Sequence, residues 1–240
     1  MTTIIDDIEA FNQHGFLLCA SGLTPDQLSK IAATLDADGA ARPTHSRSNT
    51  VYAARDLFAR LPALLRQAEE EPLVTLASKL AGTPVRPTKA TFFDKRQGAN
   101  WTLPLHQDLT ITVAAQAEVA GYTHWSMKAG VPHVQPPVAI LENIVALRIH
   151  LDDCPEENGA LEVVPGSHRL GRINPEELRR MHCAGETVAC PAAAGEVLAM
   201  RPLLVHGSRK SSIPARRRVL HIEYCGETLD SPLQWPVWNR

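Results

Sequence analysis

The sequence predicts an α+β protein in which a β-sandwich or barrel carries flanking helices at its N-terminal end. Two observations support this. Over residues 1–84 the apolar residues recur at helical spacing, between cap and stop signals. From Val85 onward β-branched and aromatic residues, prolines and short runs take over, with turns at near-regular intervals. We read one domain, with a mainly helical flank (1–84), a β core (85–225) and a C-terminal tail (226–240).

The elements follow in order. Ile4 to Phe11 reads as a short helix with Ile4, Ile5, Ile8 and Phe11 on one side, ended by Gly15. Phe16 to Cys19 then reads as a short buried strand. Thr24-Pro25-Asp26-Gln27 supplies an N-cap threonine, a proline at the first helical position and a glutamine placed for a capping box. Leu28, Ile31 and Leu35 fall on one face of that helix and are expected to pack. Asn49 to Arg60 fits neither period. Pro62 to Leu80 reads as one or two helices, with Glu69, Glu70 and Glu71 as a solvated face.

Pro87 to Lys95 is the first strand of the β region. Lys89, Thr91, Phe93 and Lys95 share one face, and Ala90, Phe92 and Asp94 the other. Arg96 to Leu105 is expected to be a connecting loop, and Leu109 to Val113 a short strand. Gln116 to Leu141 is the longest irregular stretch, of a length that suggests a lid or binding segment. Asn143 to Leu151 reads as a strand, Asn158-Gly159 as a hairpin turn, Ala160 to Val164 as a strand and Pro165-Gly166 as a turn. Asn174-Pro175-Glu176-Glu177 caps a helix. Val197 to Met200, Leu203 to His206 and Arg218 to Tyr224 complete the strands.

Composition narrows the function. Net charge is 24 − 26 = −2, without the basic excess expected of a nucleic-acid binder. The five cysteines are odd in number and contain no Cys-x-x-Cys pair, which argues against a disulfide framework or a zinc ribbon. The N-terminal stretch lacks the features of a signal peptide, and no apolar run is long enough to span a bilayer. A cytoplasmic protein without membrane or nucleic-acid partners is expected.

The chemistry centres on His106-Gln107-Asp108. In extended backbone, residues two apart aim at one point, so an imidazole and a carboxylate can meet one metal ion. The bare pattern is weak, because His150-Leu151-Asp152 and His221-Ile222-Glu223 repeat it; both are read as structural. His206, expected at the end of a strand, is a candidate third ligand. Two histidines and one carboxylate with open positions are typical of non-haem Fe(II) oxygenases. A 2-oxoglutarate co-substrate would also need a cation for its distal carboxylate. Arg217, eleven residues after His206, and the Ser208 hydroxyl suit that role. Arg216 and Arg218 leave the choice of arginine open, although strand alternation puts them opposite Arg217. The basic run from Arg209 to Arg218 otherwise reads as a solvated loop. His168 reads as a turn or interface residue. His133, Gln135 and Trp125 in the long irregular stretch, with Arg148, are candidates for substrate contact, and Trp101 could line the same cavity.

These motifs, Leu105-His106-Gln107-Asp108, Asn158-Gly159-Ala160-Leu161 through Pro165-Gly166-Ser167-His168, and His206-Gly207-Ser208 with Arg217, resemble those of the phytanoyl-CoA dioxygenase family over roughly residues 10 to 225. The resemblance implies a double-stranded β-helix (jelly-roll) core and a 2-oxoglutarate-dependent non-haem iron dioxygenase of the EC 1.14.11 type, using Fe(II), 2-oxoglutarate and O2. It implies His106, Asp108 and His206 as iron ligands, with Arg217, Ser208 and Lys95 at 2-oxoglutarate. Related halogenases have Ala or Gly at the carboxylate position, so Asp108 points to hydroxylation or another oxidation of a small molecule. The alternatives are a cupin-like metal enzyme that does not use 2-oxoglutarate and a non-catalytic binding protein on the same fold. Substrate and oligomeric state are not set by these motifs.

Overall fold

Alternation along one strand divides this molecule into its two interiors. The computed structural model describes residues 4–38, 53–95, 100–128, 130–213 and 215–238. Strand β2 of its sequence-ordered strands, Arg86–Lys95, turns Ala90 and Phe92 into an apolar core. It turns Lys89 and Lys95 the other way, toward ionic and polar partners. The remaining strands are β1 (Phe16–Ala20), β3 (Leu103–His106), β4 (Ile111–Thr112), β5 (Thr123–Lys128), β6 (Val131–Gln135), β7 (Ile144–His150), β8 (Leu161–Val163), β9 (Val188–Cys190), β10 (Glu196–Met200), β11 (His206–Ser208) and β12 (Arg217–Cys225). The helices are α1 (Ile4–His14), α2 (Pro25–Ala37), α3 (Leu57–Arg60), α4 (Pro62–Glu69), α5 (Leu73–Ala81), α6 (Val138–Glu142) and α7 (Pro175–Ala184). None is long and apolar enough to cross a membrane.

A five-stranded sheet runs β1-β10-β7-β12-β2 and a four-stranded sheet runs β3-β11-β8-β9, both antiparallel. Ala146, Leu198 and Met200 of the first meet Leu161, Val163 and Cys190 of the second, which packs the sheets face to face as in a double-stranded β-helix. The helices cover the outer face of the larger sheet. There Phe11, Ile31, Leu35 and Leu64 pack on Phe92, Leu147, Ile149 and Leu220. The predicted capping box of α2 forms: Thr24 Oγ1 accepts from the Gln27 amide at 3.2 Å, and the Gln27 side chain accepts from the Thr24 amide at 2.9 Å. A third sheet, β4-β6-β5, has its own apolar cluster, into which the tail inserts Leu233 and Trp235. The helical flank also contributes β1 to the sheet, at its edge.

Several expected elements differ. Gln116–Leu141 is not irregular: it holds the β5–β6 hairpin, turning at Gly130, and then α6. Its outer strand β5 is largely exposed, so it lacks the apolar alternation that marks a half-buried strand. Asn158-Gly159 is not a two-residue hairpin turn, since β7 and β8 lie in different sheets. Gly159, at φ +66°, instead ends a 3-10 turn over Glu156–Asn158, where an added Cβ would meet the Arg209 carbonyl at 2.5 Å. The expected loop before His106 ends in strand β3, whose Pro104 is tolerated because β3 lies at the sheet edge. His206 begins its strand rather than ending one. Leu203, Leu204 and Val205 form a buried approach, so that apolar run reports burial and not extension. Strand β9, three residues long, had no signal in the sequence. Pro62–Leu80 resolves into two helices, α4 and α5. Of Asn49–Arg60, residues 49–52 lie outside the described residues, as do 96–99 of the loop after β2.

Candidate metal centre and its surroundings

His106 closes β3 and His206 opens β11, and antiparallel pairing sets the two directly opposite each other. Their ring centroids lie 4.3 Å apart. Asp108 follows His106 by two residues, and its backbone N–H donates to the Pro202 carbonyl at 2.9 Å. Gln107 fixes the chain between these residues. Its amide nitrogen donates to the carbonyls of Gly171 (2.7 Å) and Leu203 (2.6 Å), and its oxygen accepts from the Ile173 amide (2.8 Å).

The histidine tautomers follow from the same geometry. Nδ1 of His106 is 2.9 Å from the Pro104 carbonyl, and Nδ1 of His206 is 2.9 Å from the Leu204 carbonyl. A carbonyl can only accept, so each Nδ1 carries the hydrogen and each Nε2 presents a lone pair. Those Nε2 atoms face the Asp108 carboxylate, at 4.0 Å from Oδ1 for His106 and 3.6 Å from Oδ2 for His206. One ligand atom from each residue lies within 4.8 Å of the others. Burial, with His106 beside it, pushes the His206 imidazole down to about 3, so it is neutral at pH 7. Neutral imidazoles and a carboxylate are the donor forms that a divalent transition metal takes.

Asp108, His221 and Glu223 make a second grouping of metal-ligand type. It differs because Glu223 already pairs with the Lys89 ammonium and lies 3.5 Å from His221 Nε2. The other repeat of the pattern is structural as expected: Asp152 pairs with Arg218 at 2.6 Å. His168 likewise serves an interface, with Nε2 3.1 Å from the Asn12 carbonyl of α1.

Next to the triad lies a buried group of cations. Arg217 on β12 and Lys95 on β2 are register partners, and Ser208 reaches them from β11. Lys95 Nζ donates to Ser208 Oγ at 3.1 Å and to the Arg209 carbonyl at 2.7 Å. Arg217 donates to the Gly159 carbonyl and leaves its Nε without a partner. Arg148 sits 3.3 Å from His221 Nδ1 and 5.2 Å from the centre of the Phe93 ring, with its Nε also unpartnered. Burial pushes Lys95 down to about 7, and repulsion from Arg217 adds to this. None of the three has an acid within ion-pair distance among the described residues. Buried cations without anions are costly, so such a cluster is suited to an anionic ligand. The neighbouring arginines differ: Arg216 pairs with Asp94 and Asp36, and Arg218 with Asp152 and Asp36. Of the run Arg216-Arg217-Arg218, only Arg217 points inward.

The residues expected at a substrate do not all converge. Arg148 joins Lys95 and Arg217 rather than the β5–β6 hairpin. His133 is buried, with Nδ1 3.0 Å from the Val131 carbonyl, and burial pushes it down to about 4. It lines a small pocket with Arg55, Lys89, Phe58 and Trp238. Trp125 packs half-buried against the cluster of Ile111 and Val134. Gln135 is half-buried beside Thr123 at the end of β6. Trp101 stacks under Lys95, with Nζ 5.1 Å from its ring centre. Arg55, Lys89 and Lys128 near Asp108 were not singled out by their pattern. Lys89 had a signal, since it shares its strand face with Lys95, but Arg55 lies in a stretch without periodicity.

The family model described as Phytanoyl-CoA dioxygenase (PhyH) matches residues 11–219 of this chain. The L-proline trans-4-hydroxylase of Streptomyces griseoviridis is 28% identical over 193 residues, which are 69% of this chain and 60% of that protein. The chain thus spans less than two thirds of that relative. Among solved structures, AviO1 from Streptomyces viridochromogenes Tue57 matches at a TM-score of 0.68 and 23% identity, covering 100% of both chains. EctD from S. alaskensis with 2-oxoglutarate and 5-hydroxyectoine matches at 0.70 and 19% identity, over 98% of this chain and 80% of that one. At these identities the structural likeness concerns the fold.

Proposed function

The chain belongs to the phytanoyl-CoA dioxygenase family, and from that premise we propose that it is an Fe(II)- and 2-oxoglutarate-dependent dioxygenase that hydroxylates a C–H bond of a small molecule. One observation carries the reading: an open two-histidine, one-carboxylate set stands beside buried cations that have no anion. His106, Asp108 and His206 would hold the metal. Arg217, whose Nε has no partner, would take the distal carboxylate of 2-oxoglutarate together with Ser208 and Lys95. When bound, iron and 2-oxoglutarate supply the oxidising chemistry from O2, with release of succinate and CO2.

The chain's own residues contribute orientation and exclusion of water. Gln107 locks the segment between two of the proposed ligands, and the Pro104 and Leu204 carbonyls fix the imidazole tautomers. The second ligand-type grouping fits less well, because Lys89 already neutralises Glu223. Asp108 occupies the position that a halide would need, which supports hydroxylation. L-Proline is the first substrate to try, because the relative's name specifies it.

The test is an anaerobic titration with Fe(II) and 2-oxoglutarate, in which the weak metal-to-ligand absorption band should develop. His106→Ala should abolish both the band and substrate-dependent succinate formation. Unchanged succinate formation in that variant would sink the assignment.

A further inference from the structure

Strand register sorts the polar side chains on the inner face of the larger sheet into rows. Arg217 of β12 stands opposite Lys95 of β2. Four residues further along β12, His221 stands between Thr91 of β2 and Arg148 of β7. The second row lies at the metal centre, because His221 offers a nitrogen within 4.8 Å of an Asp108 carboxylate oxygen. His221 also holds one corner of the Arg148 guanidinium, with Nη1 3.3 Å from Nδ1. A guanidinium can only donate, so Nδ1 accepts and the imidazole hydrogen sits on Nε2, facing Glu223 Oε1 at 3.5 Å. The imidazole therefore separates Arg148 from Glu223, whose charge is already paired with Lys89. The Phe93 ring lies 5.2 Å from Arg148 Cζ. The Nε–Nη2 edge is left over: Nε is buried without a partner, and Nη2 makes no hydrogen bond among the described residues.

A buried cation with two parallel donors and no acid is costly unless a ligand fills that edge, and a carboxylate has the matching shape. Burial pushes the Arg148 guanidinium down to about 10, which leaves it charged at neutral pH. 2-Oxoglutarate carries two carboxylates, and Arg217, Ser208 and Lys95 account for the distal one alone. We propose that the free edge of Arg148 binds the other, the C1 carboxylate of the keto acid, at the end of the co-substrate that meets the metal. The row order supports this assignment. A diacid lying along the inner face would meet Arg217 in the row away from Asp108 and Arg148 in the row beside it. Holding both ends would fix the orientation in which the keto acid reaches the metal. This inference rests on the reading of the metal and 2-oxoglutarate sites given above.

The experiment uses protein loaded with Fe(II) under anaerobic conditions and titrates two keto acids through the absorption band. One is 2-oxoglutarate. The other is 2-oxopentanoate, which keeps the keto acid and lacks the distal carboxylate. Where the 2-oxopentanoate band is too weak to titrate, its displacement of 2-oxoglutarate is measured instead. Arg148→Gln should raise the half-saturating concentration of both acids by a common factor of about 10- to 100-fold. Arg217→Gln should weaken 2-oxoglutarate and spare 2-oxopentanoate. Arg148→Lys, which keeps the charge and loses the planar fork, should weaken both acids by about 3- to 10-fold. Thermal unfolding shows whether each variant is folded, and if Arg148→Gln is not, the comparison is read on Arg148→Lys. The proposal is overturned if the folded variant binds both acids as the unaltered protein does, which would leave the free edge to a substrate anion or to none. It is also overturned if the variant weakens 2-oxoglutarate and spares 2-oxopentanoate, which would move Arg148 to the distal carboxylate. Absence of the band with 2-oxoglutarate in the unaltered protein overturns the metal and co-substrate reading instead.

Discussion

At Lys95 a single side chain couples co-substrate binding to pH. Burial and Arg217 push its ammonium down to about 7, so it is only partly charged at neutral pH. A dianionic 2-oxoglutarate favours the charged form, and binding should weaken as pH rises through and above 7. Lys95→Met should bind 2-oxoglutarate less well at pH 6.5 and lose most of this slope; a variant that keeps the slope would assign it to another group. The sign for folding is opposite. An unfolded lysine keeps its ordinary value near 10.4, so the unfolded chain binds more protons between about 7 and that value. The lysine's penalty on folding is therefore relieved as pH rises across that window. Individual side chains of this kind were only partly legible in the sequence. Alternation put Lys95 on one strand face with Lys89, Thr91 and Phe93, but did not record that this face turns inward or whether an acid met it there. That depends on Ser208 and the Arg209 carbonyl, more than a hundred residues away.

Among the elements, β12 shows how a two-residue period sorts like charges. Arg216 and Arg218 turn outward into a network with Asp36, Asp94 and Asp152, which ties α2 to the sheet. Arg217 between them turns inward. Arg217→Gln should raise the 2-oxoglutarate concentration needed for half-maximal binding by about 10- to 100-fold, the loss of a charge-assisted contact. Arg216→Gln, which removes a two-bond partner of the buried Asp94, should cost about 1–3 kcal/mol of stability and leave co-substrate binding near its original value. Titrating the absorption band in both variants checks this, and equal weakening would mean that the alternation does not decide the role. The capping box of α2 and the Asn174 cap of α7 were legible because caps are local chemistry. The β5–β6 hairpin was not, because an exposed strand in a small sheet carries no burial pattern. Nor was the boundary of β11, since buried approach residues and buried strand residues look alike in sequence.

Across the whole molecule, the proposed ligands come from around the end of β3 and from the start of β11, neighbouring strands of one sheet that are far apart in the chain. Bound metal and 2-oxoglutarate should therefore stabilise the folded chain. At a hundredfold excess over its dissociation constant a ligand that binds only the folded form adds about 2.7 kcal/mol. Thermal unfolding should shift up by a few degrees when Fe(II) and 2-oxoglutarate are added without O2, and back when the metal is chelated. His206→Ala should unfold at the same temperature with and without them. A shift that persists in that variant would locate the metal elsewhere, with the grouping of Asp108, His221 and Glu223 as the next candidate.

The sequence by itself determined the α+β class, the jelly-roll expectation, the capped helices and the identity of the His106, Asp108, His206 and Arg217 candidates. The class and the caps rest on periods and spacings, which are local properties of a chain, while the jelly-roll expectation and the roles of the four candidates rest on the resemblance to the phytanoyl-CoA dioxygenase family. The sequence favoured His106-Gln107-Asp108 over two similar pairs by its relation to His206, Ser208 and Arg217; the tertiary structure adds that His206 lies opposite His106 across an antiparallel ladder and that the carboxylates of the other pairs are ion-paired. It alone brought Arg55, from a stretch with no pattern, into one pocket with Lys89 and His133. The reason is physical: whether a buried charge is paired depends on groups far apart in the chain, and no local period records where they meet.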